Sequence, residues 1–84
     1  MRILHILRRA PDDRTKETIK HHSESLDVTV LLIQDGVLTN EEFPGHVLAL
    51  DLDVKKRESP IDVPRIDYES MVRLVFQHDR VVCW

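Results

Sequence analysis

The stretch that most constrains this chain is Val28–Val37, reading VTVLLIQDGV. Val28, Val30, Leu31, Leu32 and Ile33 show almost no polar alternation, so a strand here needs cover on both faces. That is the pattern of a central strand in a parallel sheet shielded by crossover helices. Asp35-Gly36 then ends the strand: the Asp carboxylate can cap a following helix, and Gly permits a turn at positive φ. Ligands of open α/β sheets sit beyond the carboxyl ends of the strands, which makes Asp35 and Gly36 candidate site or interface residues. Simple strand-to-helix punctuation is the plainer alternative.

The flanking segments supply the rest of such a sheet. Arg2–Leu7 (RILHIL) is short, apolar and branched, as a first buried strand should be. Pro11 and the acidic Asp12 and Asp13 open a helix expected from about Pro11 to Ser25, with Asp12 and Lys16 as an i,i+4 ion pair. The apolar face of this helix is thin, Ile19 and Leu26 being its only strong hydrophobes. Such a helix is expected on the solvated side of the fold or against something outside the chain.

Val37–Phe43 allows a helical turn or two before Pro44-Gly45. His46–Leu52 reads as a third strand, Asp53–Ser59 as a short helix or loop, and Pro64–Ile66 as a short strand. Asp67 is placed to cap the most amphipathic helix of the chain, with Tyr68, Met71, Val72, Val75 and Phe76 at helical spacing. Arg80–Trp84 is a final strand. The sum is one domain over residues 1–84. Its fold class is α/β, a small flavodoxin-like sandwich with a mostly parallel four- to five-stranded sheet, right-handed crossovers and the strand order 2-1-3-4-5.

Size and charge narrow the function. A chain of 84 residues buries about 60–65% of its unfolded surface, which leaves a modest core. A net charge of −3 and a pI near 5.9 argue against direct nucleic-acid binding. No apolar run approaches the roughly 20 residues of a membrane span. Met1-Arg2-Ile3 enters a strand at once with no signal-peptide pattern, and the single cysteine allows no intrachain disulfide. The expected location is the cytoplasm.

Candidate chemistry is sparse. Cys83, the only thiol, lies near the carboxyl end of the last strand, either as a persulfide-forming nucleophile or as a small packed hydrophobe. His21 and His22 point about 100° apart on a helix, and no carboxylate or thiol stands at ligand spacing around His5, His46 or His78, so no metal is implied. His5, mid-strand, is expected to be a hydrogen-bonded core or interface residue. Two glycines cannot write a dinucleotide fingerprint or a P-loop, and no cofactor is implied. Arg8-Arg9 can meet an anion, stay solvated, or pair with Asp12 or Asp35.

Read together, Ile3-Leu4-His5, Pro11, Val30–Val37, Val47–Leu50 with Asp53 and Arg57, Ile66-Asp67-Tyr68, Val72-Arg73-Leu74, His78 and Trp84 resemble the DsrH/TusB family of sulfur-relay proteins. The resemblance implies a DsrE/DsrF/DsrH-like (DsrEFH) fold that assembles with DsrE-like and DsrF-like (TusD/TusC-type) subunits into homo- or hetero-oligomers. It implies support for persulfide transfer toward 2-thiolation of the tRNA wobble uridine, or for sulfur trafficking in dissimilatory sulfur oxidation, without direct nucleic-acid or membrane contact. Some members carry a cysteine in the first helix; here Lys20 stands at that place, and the region from Gly36 to Val47 is short. Both departures point to a non-catalytic subunit of a sulfurtransferase complex, with Asp35, Gly36, His5 and Trp84 as turn or interface residues. The alternative is a sulfurtransferase in its own right that uses Cys83 as persulfide carrier.

Overall fold

Short apolar runs and segments of helical spacing alternate along the chain, and the computed structural model, which describes residues 1–84, turns them into a three-layer α/β/α arrangement. The strands are β1 (Arg2–Leu7), β2 (Asp27–Leu32), β3 (His46–Leu50), β4 (Arg65–Ile66) and β5 (Arg80–Cys83). The helices are α1 (Asp13–Ser23), α2 (Asp51–Lys56) and α3 (Tyr68–Gln77), with a 3-10 turn at Gln34–Leu38. All four strand pairings are parallel, so the expected α/β class holds with five strands.

The strand order is 4-3-2-1-5, not the expected 2-1-3-4-5. The link from β2 to β3 contains only the 3-10 turn and an irregular segment ended by Pro44-Gly45, so β3 settles beside β2 instead of returning past β1. The chain therefore steps in one direction through β1, β2, β3 and β4, and reverses once, carried by α3 back to β5 at the far edge. With right-handed crossovers, the first three connections cover one face and α3 alone covers the other. The side-chain contacts agree. Ile3, Leu7, Val28, Val30, Leu32 and Ala49 form one core with Ile19 of α1, Val37 of the 3-10 turn and Val54 of α2. On the opposite face Leu4 and Leu31 are buried, and His78, just after α3, reaches Thr29.

VTVLLI behaves as its pattern requires: Val28, Val30, Leu31 and Leu32 are all buried, in a strand paired on both sides. The helices depart from expectation. Polar α1 is seated firmly, with Ile19 fully buried and Thr15 nearly so. Its narrow stripe suffices because its buried polar groups are satisfied: the Asp12 carboxylate accepts from both the Thr15 backbone N–H and hydroxyl at 2.8 Å. Asp12 thus caps the helix, and Lys16 pairs with Asp13 and Glu41 in place of the expected Asp12. The most amphipathic helix, α3, buries no residue completely although Asp67 caps it as expected, accepting from the Ser70 N–H at 2.7 Å. β3 also ends earlier than expected, at Leu50, because Asp51 already opens α2.

Candidate functional site

The carboxyl edge of the sheet is where β1 and β2 end at Leu7 and Leu32, and the chain there turns through Gln34-Asp35-Gly36. The Ile33 N–H donates to the Leu7 carbonyl at 3.0 Å, tying the exit of β2 to the end of β1. Gly36 is buried against the same carbonyl: a Cβ there would collide with the Leu7 oxygen, so only glycine fits. Gln34 sits at φ 49°, a left-handed conformation that costs a side-chain-bearing residue roughly 1–2 kcal/mol. It is held there by Asp53 of α2, whose carboxylate accepts the Gln34 N–H at 2.7 Å.

Asp35 does not cap the turn; the 3-10 segment has no side-chain cap. Instead, the Arg57 guanidinium donates to Asp35 at 2.9 Å through Nε and to Asp53 at 3.2 Å through Nη1. The hydrogen bond to Asp35 is the largest influence raising the Arg57 pKa above its ordinary value. Asp35, Asp53 and Arg57 form a clamp over the strained turn. The expected pairing of Arg8 or Arg9 with Asp35 is absent because Arg57 occupies the carboxylate; Arg8 instead donates through Nε to the Trp84 carbonyl at 3.1 Å.

Beneath that edge lies a chain of three rings. The Trp84 indole N–H donates to His5 Nδ1 at 3.0 Å, and His5 Nε2 is 3.0 Å from His22 Nδ1. An indole nitrogen is only a donor, so His5 Nδ1 must accept, which places the His5 proton on Nε2 and makes His22 Nδ1 the next acceptor. The geometry fixes both imidazoles as neutral Nε2–H tautomers. His5 is fully buried, stacked against His22 and Trp84 with interplanar angles of 22° and 19°. Burial, reinforced by the neighbouring His22, pushes the His5 pKa down to about 4. At neutral pH this group serves as a polar tie between β1, α1 and the residue after β5.

Cys83 is exposed at the end of β5, where it pairs in register with Ile6 of β1. The other end of the carboxyl edge, between β3 and β4, is where successive connections leave to opposite faces, the usual crevice of such sheets. Asp51 stands there, ion-paired with Lys55 at 2.9 Å and with Arg65 at 3.5 Å, the Lys55 hydrogen bond lowering the Asp51 pKa most. Three shallow clefts lie elsewhere. One of about 490 Å³ opens at the amino edge between Arg2, Asp27 and His46, a second of about 380 Å³ lies between Leu38–Glu42 and Ser59–Val63, and a third of about 350 Å³ lies along α1 among Asp13, Lys16, Glu17 and Lys20. None includes Asp35, Gly36, His5, Cys83 or Trp84.

The structure therefore gathers the sequence-selected residues around the end of β1 but in separate roles. Asp35 and Gly36 form a backbone corner, His5 and Trp84 a buried tie, and Cys83 an exposed thiol beside them. Sequence reading missed His22 as a partner of His5, since a histidine on a polar helix carries no sign of the strand residue it will face. It also missed Gln34, whose positive φ has no signature in a residue of that type. Searches with protein-family models and among curated proteins return no match to this chain.

Proposed function

We propose that this chain is a non-catalytic, assembly-forming subunit of a sulfur-relay complex of the DsrH/TusB type, acting in the cytoplasm beside DsrE-like and DsrF-like subunits that carry the reactive cysteines. The observation that carries this reading is the state of the carboxyl edge. Asp35, Arg57 and Asp53 are committed to one another in a clamp and Asp51, Lys55 and Arg65 in a cluster, Arg8 is held by the Trp84 carbonyl, and the histidine is locked neutral between Trp84 and His22. Such an edge holds a shape and leaves no general base poised beside a nucleophile. The motif resemblance supplies the pathway class, and 2-thiolation of the tRNA wobble uridine is the process assigned to it.

Co-expression with DsrE-like and DsrF-like proteins of the same organism tests this. A stable complex that contains the chain and keeps sulfur transfer when Cys83 is replaced by Ser supports the proposal; a chain that binds neither protein overturns it.

A second reading rests on the exposure of Cys83 at the strand end, where a persulfide carrier could be reached by a donor. Incubation with a cysteine desulfurase and cysteine, followed by mass spectrometry, would then add one sulfur atom, about 32 Da, to Cys83. A thiol that stays unmodified excludes that reading.

A further inference from the structure

Helix α3 carries two apolar stripes, and the sheet covers only one. At 100° per residue, Met71, Leu74, Val75 and His78 share one side, are half-buried, and face the sheet, where His78 Nε2 and the Thr29 hydroxyl are hydrogen-bonded at 3.1 Å. Tyr68, Val72 and Phe76 repeat at i, i+4 and i+8 on the adjacent stripe and are 65%, 39% and 84% exposed. Val81 of β5, on the same sheet face as Leu4 by its pairing, is 41% exposed beside them. At about 200 Å² per aromatic side chain, these four groups leave on the order of 400 Å² of apolar surface in water. That is about half of what each partner contributes to a standard protein interface.

We propose that this face is an isologous contact between two copies of the chain, α3 packing antiparallel on α3 of the second copy. The symmetry of the stripe selects this occupant. A two-fold axis beside Val72 sets Val72 against Val72, Tyr68 against Phe76 and Phe76 against Tyr68. The small central residue lets the helix axes approach to about 8–10 Å, with the aromatics closing each end. The charges obey the same axis. Glu69 and Arg73 stand four residues apart on the flank of the stripe away from the sheet, both exposed and neither ion-paired within the chain. Arg73 has only a 3.3 Å hydrogen bond to the Ser70 hydroxyl. Residues on the same flank face each other across an antiparallel pair, so each Glu69 meets an Arg73 of the other copy. A contact made this way is closed, and each copy uses the same patch. It concerns the isolated chain and stands or falls independently of the sulfur-relay reading.

Light scattering on the isolated full chain over a roughly hundredfold range of concentration tests it. The expected mass rises from 9.9 kDa toward twice that value. Glu69→Arg and Arg73→Glu, each alone, place like charges across both symmetric contacts and are expected to raise the dimer Kd at least about tenfold. The double reversal Glu69→Arg with Arg73→Glu restores opposite charges and returns Kd to within about threefold of the parent. Phe76→Asp, at a site 84% exposed and outside the core, leaves a folded monomer by circular dichroism. A parent chain that stays at 9.9 kDa throughout overturns the proposal, including the case in which it associates only with a different protein. So do single reversals with unchanged Kd, or a double reversal no better than the singles.

Discussion

Replacing His5 by Leu should flatten the acid side of the stability curve while lowering stability at neutral pH. Within the ring chain the His5 pKa is about 4 when folded, against 6.5 when its imidazole is solvated. Between those values the unfolded chain binds the proton and the folded chain does not, so acidification favours unfolding. The stability tied to the neutral ring is complete above pH 6.5 and is lost as pH falls through 6.5 toward 4. The loss is about 2 kcal/mol at pH 5 and about 3 kcal/mol at pH 4. Protonating the ring also removes the acceptor for the Trp84 indole, since both nitrogens then donate.

Trp84 is the only tryptophan, so its fluorescence in urea titrations reads unfolding and, through the indole hydrogen bond, the state of the tie itself. His5→Leu leaves the indole N–H and His22 Nδ1 without their partner and should cost about 1–3 kcal/mol at pH 7. The carboxylates whose pKa values are lowered, such as Asp12 and Asp67, add their own loss at lower pH, equally in both proteins. The difference between parent and variant therefore isolates His5: it should shrink by about 3 kcal/mol from pH 7 to pH 4. A parent-minus-variant difference that does not change with pH would refute the argument.

Four further substitutions probe packing and capping. Ile19→Ala, in the only fully buried side chain of α1, should cost about 2–5 kcal/mol in chemical denaturation, whereas Phe76→Ala on α3 should change the monomer by less than about 0.5 kcal/mol. Gly36→Ala drives a methyl group into the Leu7 carbonyl, a backbone atom that cannot swing aside; a drop of about 1–3 kcal/mol is expected, with a corresponding fall in Tm. Asp67→Ala removes the acceptor of the Ser70 N–H and should cost about 1 kcal/mol, read from the thermal melt.

The central strand, its burial on both faces, the α/β class with a mostly parallel sheet and the Asp67 cap were legible in the sequence because each is set by a local pattern. The strand order was not, since it depends on how far the Ile33–Gly45 link can carry the chain. The two helices exchanged roles for a related reason. Amphipathicity states how much apolar surface a helix offers, not how much its neighbours can cover. The thin stripe of α1 is matched to one deep position at Ile19, while α3 is the sole cover of a face and is wider than the contact available to it. At the site, Gly36 was legible as a turn residue, but the object it yields to is the Leu7 carbonyl, 29 positions away in sequence. The Asp35–Arg57–Asp53 clamp and the His5–His22–Trp84 chain join residues whose spacing in sequence carries no signal; both follow from parallel pairing that brings strand ends together.

Sulfur mapping in the assembled system tests most directly the proposed role of this chain as a support for chemistry performed by other subunits. The proposed complex with DsrE-like and DsrF-like partners is loaded by a cysteine desulfurase, and every cysteine is then assayed by mass spectrometry. The expected result is the addition of about 32 Da on partner cysteines and none on Cys83, with transfer unchanged in Cys83→Ser. Persulfide on Cys83, together with loss of transfer in that variant, would contradict it.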